Sequence, residues 1–307
     1  MQKFIFHNTT KLKLLAFLCT VCTSGSATAH DITDAVLIDR SANCAAYAGS
    51  YSATATDVQN AATYAASVVI TKEGDTCKIS SNAVPNHDFN ATGRFATQFS
   101  EQNQNFSVPA SPVAADNPTP LSLRYDNAVF LNGVKLDLMA AGCYGVGNGN
   151  IGCNDMASPY RYDPLGAGKK FGADEHNAHT QPDGTYHYHG NPMALFEQSD
   201  AIKASPVIGF AADGFPIFGS FIAGDGQVRL ATTSYQLKAG ERDGGPGDPY
   251  DGTFIDDWEY VDGSGDLDVC NGMVQEGVYG YVVTESYPHV MACFTGKPDP
   301  SFQKRRR

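Results

Sequence analysis

The chain has 307 residues, with 21 basic and 33 acidic side chains and a formal charge of −12. That surplus of acid argues against nucleic acid or an anionic membrane surface as a partner.

Lys3, Lys11 and Lys13 precede the short apolar run 14–21, and Ala27-Thr28-Ala29 has the small-x-small form of a cleavage site. Residues 1–29 therefore read as a secretory signal peptide, with an apolar run too short to span a bilayer. Its removal takes three lysines and no acid, leaving 18 basic against 33 acidic residues on an exported chain with no membrane span. Cleavage after Ala29 would leave His30 at the N-terminus, where an α-amine and an imidazole together can grip copper; only the cleavage position motivates that idea. About 280 residues remain, enough for one large domain or two modest ones.

Composition favours a single, mainly β domain with a few short helices. Residues 57–64 and 192–203 are the two helix candidates. Residues 66–71 and 77–80, separated by Glu73-Gly74-Asp75, predict a hairpin. The stretch 103–120 holds Pro109, Pro112, Pro118 and Pro120 and reads as an extended crossing loop. Strand-like runs follow at 128–138, 207–212, 215–221 and 277–284, with Asp213-Gly214 as a tight turn between two of them. The basic end, Lys304-Arg305-Arg306-Arg307, reads as a frayed tail. The expected organisation is a leader at 1–29, a β-hairpin extension at 30–80, a main domain at 81–297 and a disordered tail at 298–307.

Six cysteines follow the leader: Cys44, Cys77, Cys143, Cys153, Cys270 and Cys293. An even number in an oxidising compartment predicts disulfides. Their distribution as three sequence-local couples favours 44 with 77, 143 with 153 and 270 with 293.

The centre of interest is Tyr186-His187-Tyr188-His189, bracketed by the turn formers Pro182-Asp183-Gly184 and Gly190-Asn191-Pro192. Side chains of a strand alternate faces, so His187 and His189 share one surface and Tyr186 and Tyr188 the other. The segment 276–281 echoes this pattern with Tyr279-Gly280-Tyr281. Tyrosines in alternation therefore have a packing reason of their own, and the histidines are what needs explaining.

Four stretches taken in order, Ser81-Asn82-Ala83-Val84-Pro85-Asn86-His87, DGTYHYHG at 183–190, GFAADGFPIFG at 209–219 and GDLDVCNG at 265–272, resemble the YHYH-domain family. The resemblance implies a shared fold unit and site in an exported bacterial protein. It supplies no substrate and no assigned reaction.

Four of the eight histidines fall between His176 and His189. Imidazoles converging on one point suit zinc or copper. His179, His187 and His189 are the leading candidates for metal ligands. His176 joins them if a helical turn brings it beside His179, and His87 is a possible ligand from a distance. His289, beside Pro288, reads as structural. Asp262, Asp266 and Asp268, in a glycine-rich acidic loop, are a calcium candidate or a solvated turn. Asp213 could orient a histidine from behind.

The expected function is a metal-dependent activity, with copper or zinc and possibly calcium as cofactors and a small molecule or glycan as substrate. Three alternatives stay open. One is a non-catalytic metal-binding protein. The second is a calcium-dependent carbohydrate or surface module using exposed Tyr160, Tyr162 and Trp258. The third is a metal-free lyase pairing Tyr186 or Tyr188 with a histidine.

Overall fold

The computed structural model describes residues 36–167, 171–199, 201–224 and 226–304. The leader, His30 and Arg305–Arg307 lie outside the described residues.

Gly49–Asp57 (β1), Ala62–Glu73 (β2), Thr76–Ser81 (β3) and Gln104–Pro109 (β4) form an antiparallel sheet in that order. β2 shows why: Ala66, Val68 and Ile70 are buried while Ser67, Val69 and Thr71 face outward, the period-two pattern of a half-covered strand. The hairpin expected at 66–80 is the β2–β3 pair. Short strands follow at Thr119–Pro120 (β5), Ala128–Phe130 (β6), Lys135–Leu136 (β7), Ala178–Thr180 (β8), Tyr186–Tyr188 (β9), Val207–Ala211 (β10) and Pro216–Phe218 (β11). The rest are Phe221–Gly224 (β12), Gln227–Leu230 (β13), Tyr235–Leu237 (β14), Trp258–Tyr260 (β15), Gly272–Gln275 (β16), Val278–Val282 (β17) and Cys293–Phe294 (β18). Eight of them make one mixed sheet in the order β16-β17-β11-β10-β6-β7-β9-β8.

The fold is mainly β, and among the described residues helix is confined to three 3-10 turns of three or four residues. One hydrophobic core joins both sheets, with Ile70, Ile79 and Val108 of the first packed into the same cluster as Phe130, Tyr188 and Phe210 of the second. Disulfides Cys44–Cys77, Cys143–Cys153 and Cys270–Cys293 staple it in the expected pairing.

Several expectations are corrected. Residues 57–64 span the end of β1, a turn at 58–61 and the start of β2, not a helix. Asp57 is fully buried and accepts from the amides of Asn60 at 2.6 Å and Asn90 at 2.7 Å, turn chemistry that competes with a helix. Residues 192–203 contain no helix among those described. There Asn191 accepts from the Met193 amide at 2.9 Å, and Met193 sits in the left-handed region at φ 59°. The stretch 103–120 is only partly loop, because Phe106 and Val108 alternate inward and form β4 against β3. β4 thereby completes the sheet begun by the N-terminal hairpin.

The run 128–138 is a hairpin rather than one strand. Gly133, at φ 79°, permits the turn, and a Cβ there would lie 2.5 Å from that of Ser81. Residues 298–304 pack against the rest of the fold: Phe302 is fully buried and stacks on Phe106 with centroids 4.6 Å apart.

Candidate metal centre

β9 lies between β7, which runs parallel to it, and β8, which runs antiparallel. The register sets His179 directly opposite His187 on one side and Lys135 opposite it on the other. Tyr186 and Tyr188 are fully buried on one face, while His187 and His189, 2% and 4% exposed, point to the other. His189 continues the line past the strand end, held by its amide donating to the Asn177 carbonyl at 2.8 Å.

The three imidazoles form a nearly equilateral cluster. Ring centroids are 4.7 Å apart for 179–187, 4.7 Å for 179–189 and 4.6 Å for 187–189. One nitrogen from each lies within 4.8 Å of the others. His179 Nδ1 is bonded to the Phe171 carbonyl at 2.6 Å and His187 Nδ1 to the Thr185 carbonyl at 3.3 Å. In these bonds the ring N–H donates, so Nε2 of each presents its lone pair, the tautomer that a backbone carbonyl behind a metal ligand selects.

His179 Nε2 and His189 Nε2 stand 3.0 Å apart. Two imidazole nitrogens bound at about 2.0–2.1 Å with tetrahedral geometry stand about 3.3 Å apart. At this separation a proton on His189 Nε2 can bridge the two nitrogens, and a cation in its place would be held by the same atoms. With His187 alongside, the three residues could hold a metal ion.

Electrostatics agree with neutral, ligating rings. Burial holds His187 and His189 well below the ordinary imidazole range, reinforced at His187 by its two neighbours and Lys135, and at His189 by His179. His179 is also lowered by burial, with the Phe171 carbonyl and the Asp137 and Asp174 carboxylates opposing.

Beside the cluster runs a buried charged network that sequence reasoning missed. Lys135 Nζ donates to Asp126 Oδ1 at 2.9 Å and to Gln181 Oε1 at 3.0 Å. Gln181 Nε2 donates to Asp137 Oδ2 at 3.0 Å, and Lys304 donates to the same oxygen. Asp137 Oδ1 is buried with no hydrogen-bond partner. Burial alone would raise this carboxyl, but Lys304 and Lys135 outweigh it and hold the group below its usual range. The available signal was Lys135 and Asp137 alternating with Val134, Leu136 and Leu138. Lys304 carried none, being read as part of a tail.

The other sequence candidates lie elsewhere. His87 and His176 lie against each other, ring centroids 3.8 Å apart and planes tilted by 37°, on the tyrosine side of β9, away from the cluster. His87 Nε2 bonds the Tyr188 hydroxyl at 2.6 Å and His176 Nδ1 the Pro192 carbonyl at 3.0 Å. No helical turn joins His176 to His179, because Asn177, at φ 55°, turns the chain sharply before β8 begins.

In the acidic loop, Asp266 is engaged by Arg229 at 2.5 and 2.7 Å. Asp268 accepts from the amides of Cys270 and Gly272, both at 2.9 Å, and Asp262 from the Tyr260 hydroxyl at 3.0 Å. Among the described residues the histidine trio is the one group of three or more His, Cys, Asp or Glu side chains arranged to share an ion.

Asp213 forms the expected turn, with Gly214 at φ 91°, and its hydrogen bonds go to groups other than histidine among the described residues. It accepts from Tyr281 at 2.6 Å and the Gly296 amide at 2.9 Å. Tyr160, Tyr162 and Trp258 are half-buried rather than an exposed platform. Tyr160 and Tyr162 pack on Phe254, and Trp258 stacks on Tyr287.

A model of the family described as YHYH protein matches residues 105–296, most of the described chain and all three clustered histidines. The match begins after the Ser81–His87 stretch, so His87 lies outside it. No curated protein matches this sequence, and no solved structure does. Among the described residues no helix is long and apolar enough to cross a membrane.

Proposed function

This chain belongs to the YHYH protein family, and from that premise we propose that it is an exported protein whose His179, His187 and His189 bind copper or zinc for a metal-dependent reaction on an extracellular substrate. The observation that carries the reading is the convergence of three ligand atoms within 4.8 Å. Rings kept neutral by burial strengthen it. Three protein ligands leave a coordination position open for water or substrate.

An ion bound there supplies Lewis acidity or, if it is copper, redox capacity. The chain's own residues do the rest. Carbonyls of Phe171 and Thr185 hold two rings in the ligating tautomer. Asp137, kept ionised by Lys304 and Lys135, supplies negative charge beside His179 and His189. Export is supported by the leader-like residues 1–29 and by three disulfides, which persist in oxidising compartments.

The deep burial of His187 and His189 favours a second reading, a non-catalytic metal-binding protein with a closed coordination sphere. A metal-bound water that exchanges with added azide separates the first from the second.

Elemental analysis of protein from the exported fraction tests both against the metal-free alternatives. Stoichiometric copper or zinc in the wild type, lost in His187→Ala/His189→Ala, is the expected result. Equal and negligible metal in the two proteins overturns the reading.

A further inference from the structure

His289 and Asp163 form a second constellation, separate from the histidine cluster. His289 Nε2 donates to Asp163 at 3.0 Å (Oδ2) and 3.2 Å (Oδ1), with the two side chains 12% and 2% exposed. Asp163 Oδ1 also accepts from the Leu165 amide at 2.9 Å. A carboxylate is an acceptor only, so this bond places a proton on Nε2, and in the neutral tautomer Nδ1 keeps a lone pair. No hydrogen bond from a described residue reaches Nδ1.

His289 sits in the left-handed region at φ 64°, a costly conformation for a histidine that persists only where its surroundings over-determine it. Part of that determination is Gly190, the residue after His189: a Cβ placed there would lie 3.2 Å from that of His289.

Both members of the dyad line a cavity of about 230 Å³ whose other walls include Leu121, Leu138, Met139, Met156, Tyr287 and Met291. Three of the chain's six methionines thus meet in one place. Thioethers are adaptable and make favourable contacts with aromatic rings. A mostly apolar chamber with a few convergent polar groups is the usual form of a small-molecule site.

We propose that this cavity binds a small, largely apolar phenol, with its hydroxyl donating to His289 Nδ1 and its ring against the methionines and Tyr287. An O–H donor matches the free lone pair. A carboxylate would meet the Nδ1 lone pair and the Asp163 carboxylate instead of a proton. The site requires no metal, so it stands or falls independently of the histidine cluster.

The test is titration of the full chain with p-cresol and with p-fluorotoluene, which has nearly the same shape but no donor, followed by ligand NMR. p-Cresol should bind saturably at one site with a Kd of about 1 mM or tighter. p-Fluorotoluene should bind about tenfold more weakly. His289→Leu should erase that preference, and Ala292→Trp, which fills the chamber, should abolish binding of both. Asp163→Asn covers the case in which His289→Leu does not fold: its amide can donate to Nε2, move the ring proton to Nδ1 and reverse the preference for a donor. Absence of saturable p-cresol binding overturns the proposal. So does equal binding of the two probes by the wild type, or a preference unchanged in a folded His289→Leu or Asp163→Asn protein.

Discussion

Strands β9 and β17 lie in the same sheet and carry the same Tyr-x-Tyr pattern, yet they use the central position in opposite ways. In both, a tyrosine reaches a buried acid: Tyr186 donates to Asp174 at 2.9 Å and Tyr281 to Asp213 at 2.6 Å. The other tyrosine is also anchored, Tyr188 to Asn132 and His87, Tyr279 to Asp268 and Thr295. Between the tyrosines of β9, His187 turns toward two further imidazoles. Between those of β17, Gly280 is covered by the Phe218 ring, and a Cβ there would lie 2.6 Å from it and 2.8 Å from the Pro216 carbonyl. The tyrosines are therefore scaffold. What sets β9 apart is its opposite face, where His187 meets His179 of β8 and His189, a trio that could hold an ion.

The largest expected effect comes from forcing the two strands to be alike. Gly280→His should cost about 3 kcal/mol of stability through steric overlap with Phe218, seen as a lower urea midpoint. An unchanged midpoint would mean that β17 has room for a ligand after all. The reverse exchange, His187→Gly, should remove the metal response: zinc or copper at a hundred times its Kd stabilises the wild type by about 2.7 kcal/mol and should leave the variant unmoved.

Tyr186→Phe and Tyr281→Phe should each cost about 1–2 kcal/mol, since both leave a buried carboxyl short of a donor, while metal binding persists. A loss of metal in Tyr281→Phe alone would break the separation of scaffold from site.

The smallest effect is in the pH response. Burial, with help from His176, lowers His87 from 6.5 to about 3. The unfolded chain thus binds the proton more readily between those values, and stability should fall as pH drops from 6.5 toward 3. His87→Phe should reduce that acid sensitivity, and the ring signals of His87 in NMR should remain those of the neutral form at pH 5.

Much of the centre was legible because strand geometry is local. His187 and His189 at i and i+2 had to share a face, and three cysteine couples close in sequence formed their bonds as expected. His179 was legible as a neighbour because a short turn could return the chain antiparallel. His87 and His176 were misplaced for a non-local reason: which side of β9 they occupy depends on the left-handed turn at Asn177 and on the Tyr188 hydroxyl. The network of Lys135, Asp137, Gln181 and Lys304 needs a contact between residues 167 apart in sequence, which no periodicity announces. Residues 57–64 do not form a helix because Asp57 and its amide partners Asn60 and Asn90 are turn formers, a signal already present in the sequence.

X-ray absorption at the metal edge, on protein loaded with zinc or copper, addresses the central claim most directly. The account predicts a first shell with three imidazole nitrogens at about 2.0–2.1 Å, reduced or absent in His179→Ala. A shell made of oxygen alone, or one that His179→Ala leaves unchanged, would contradict it.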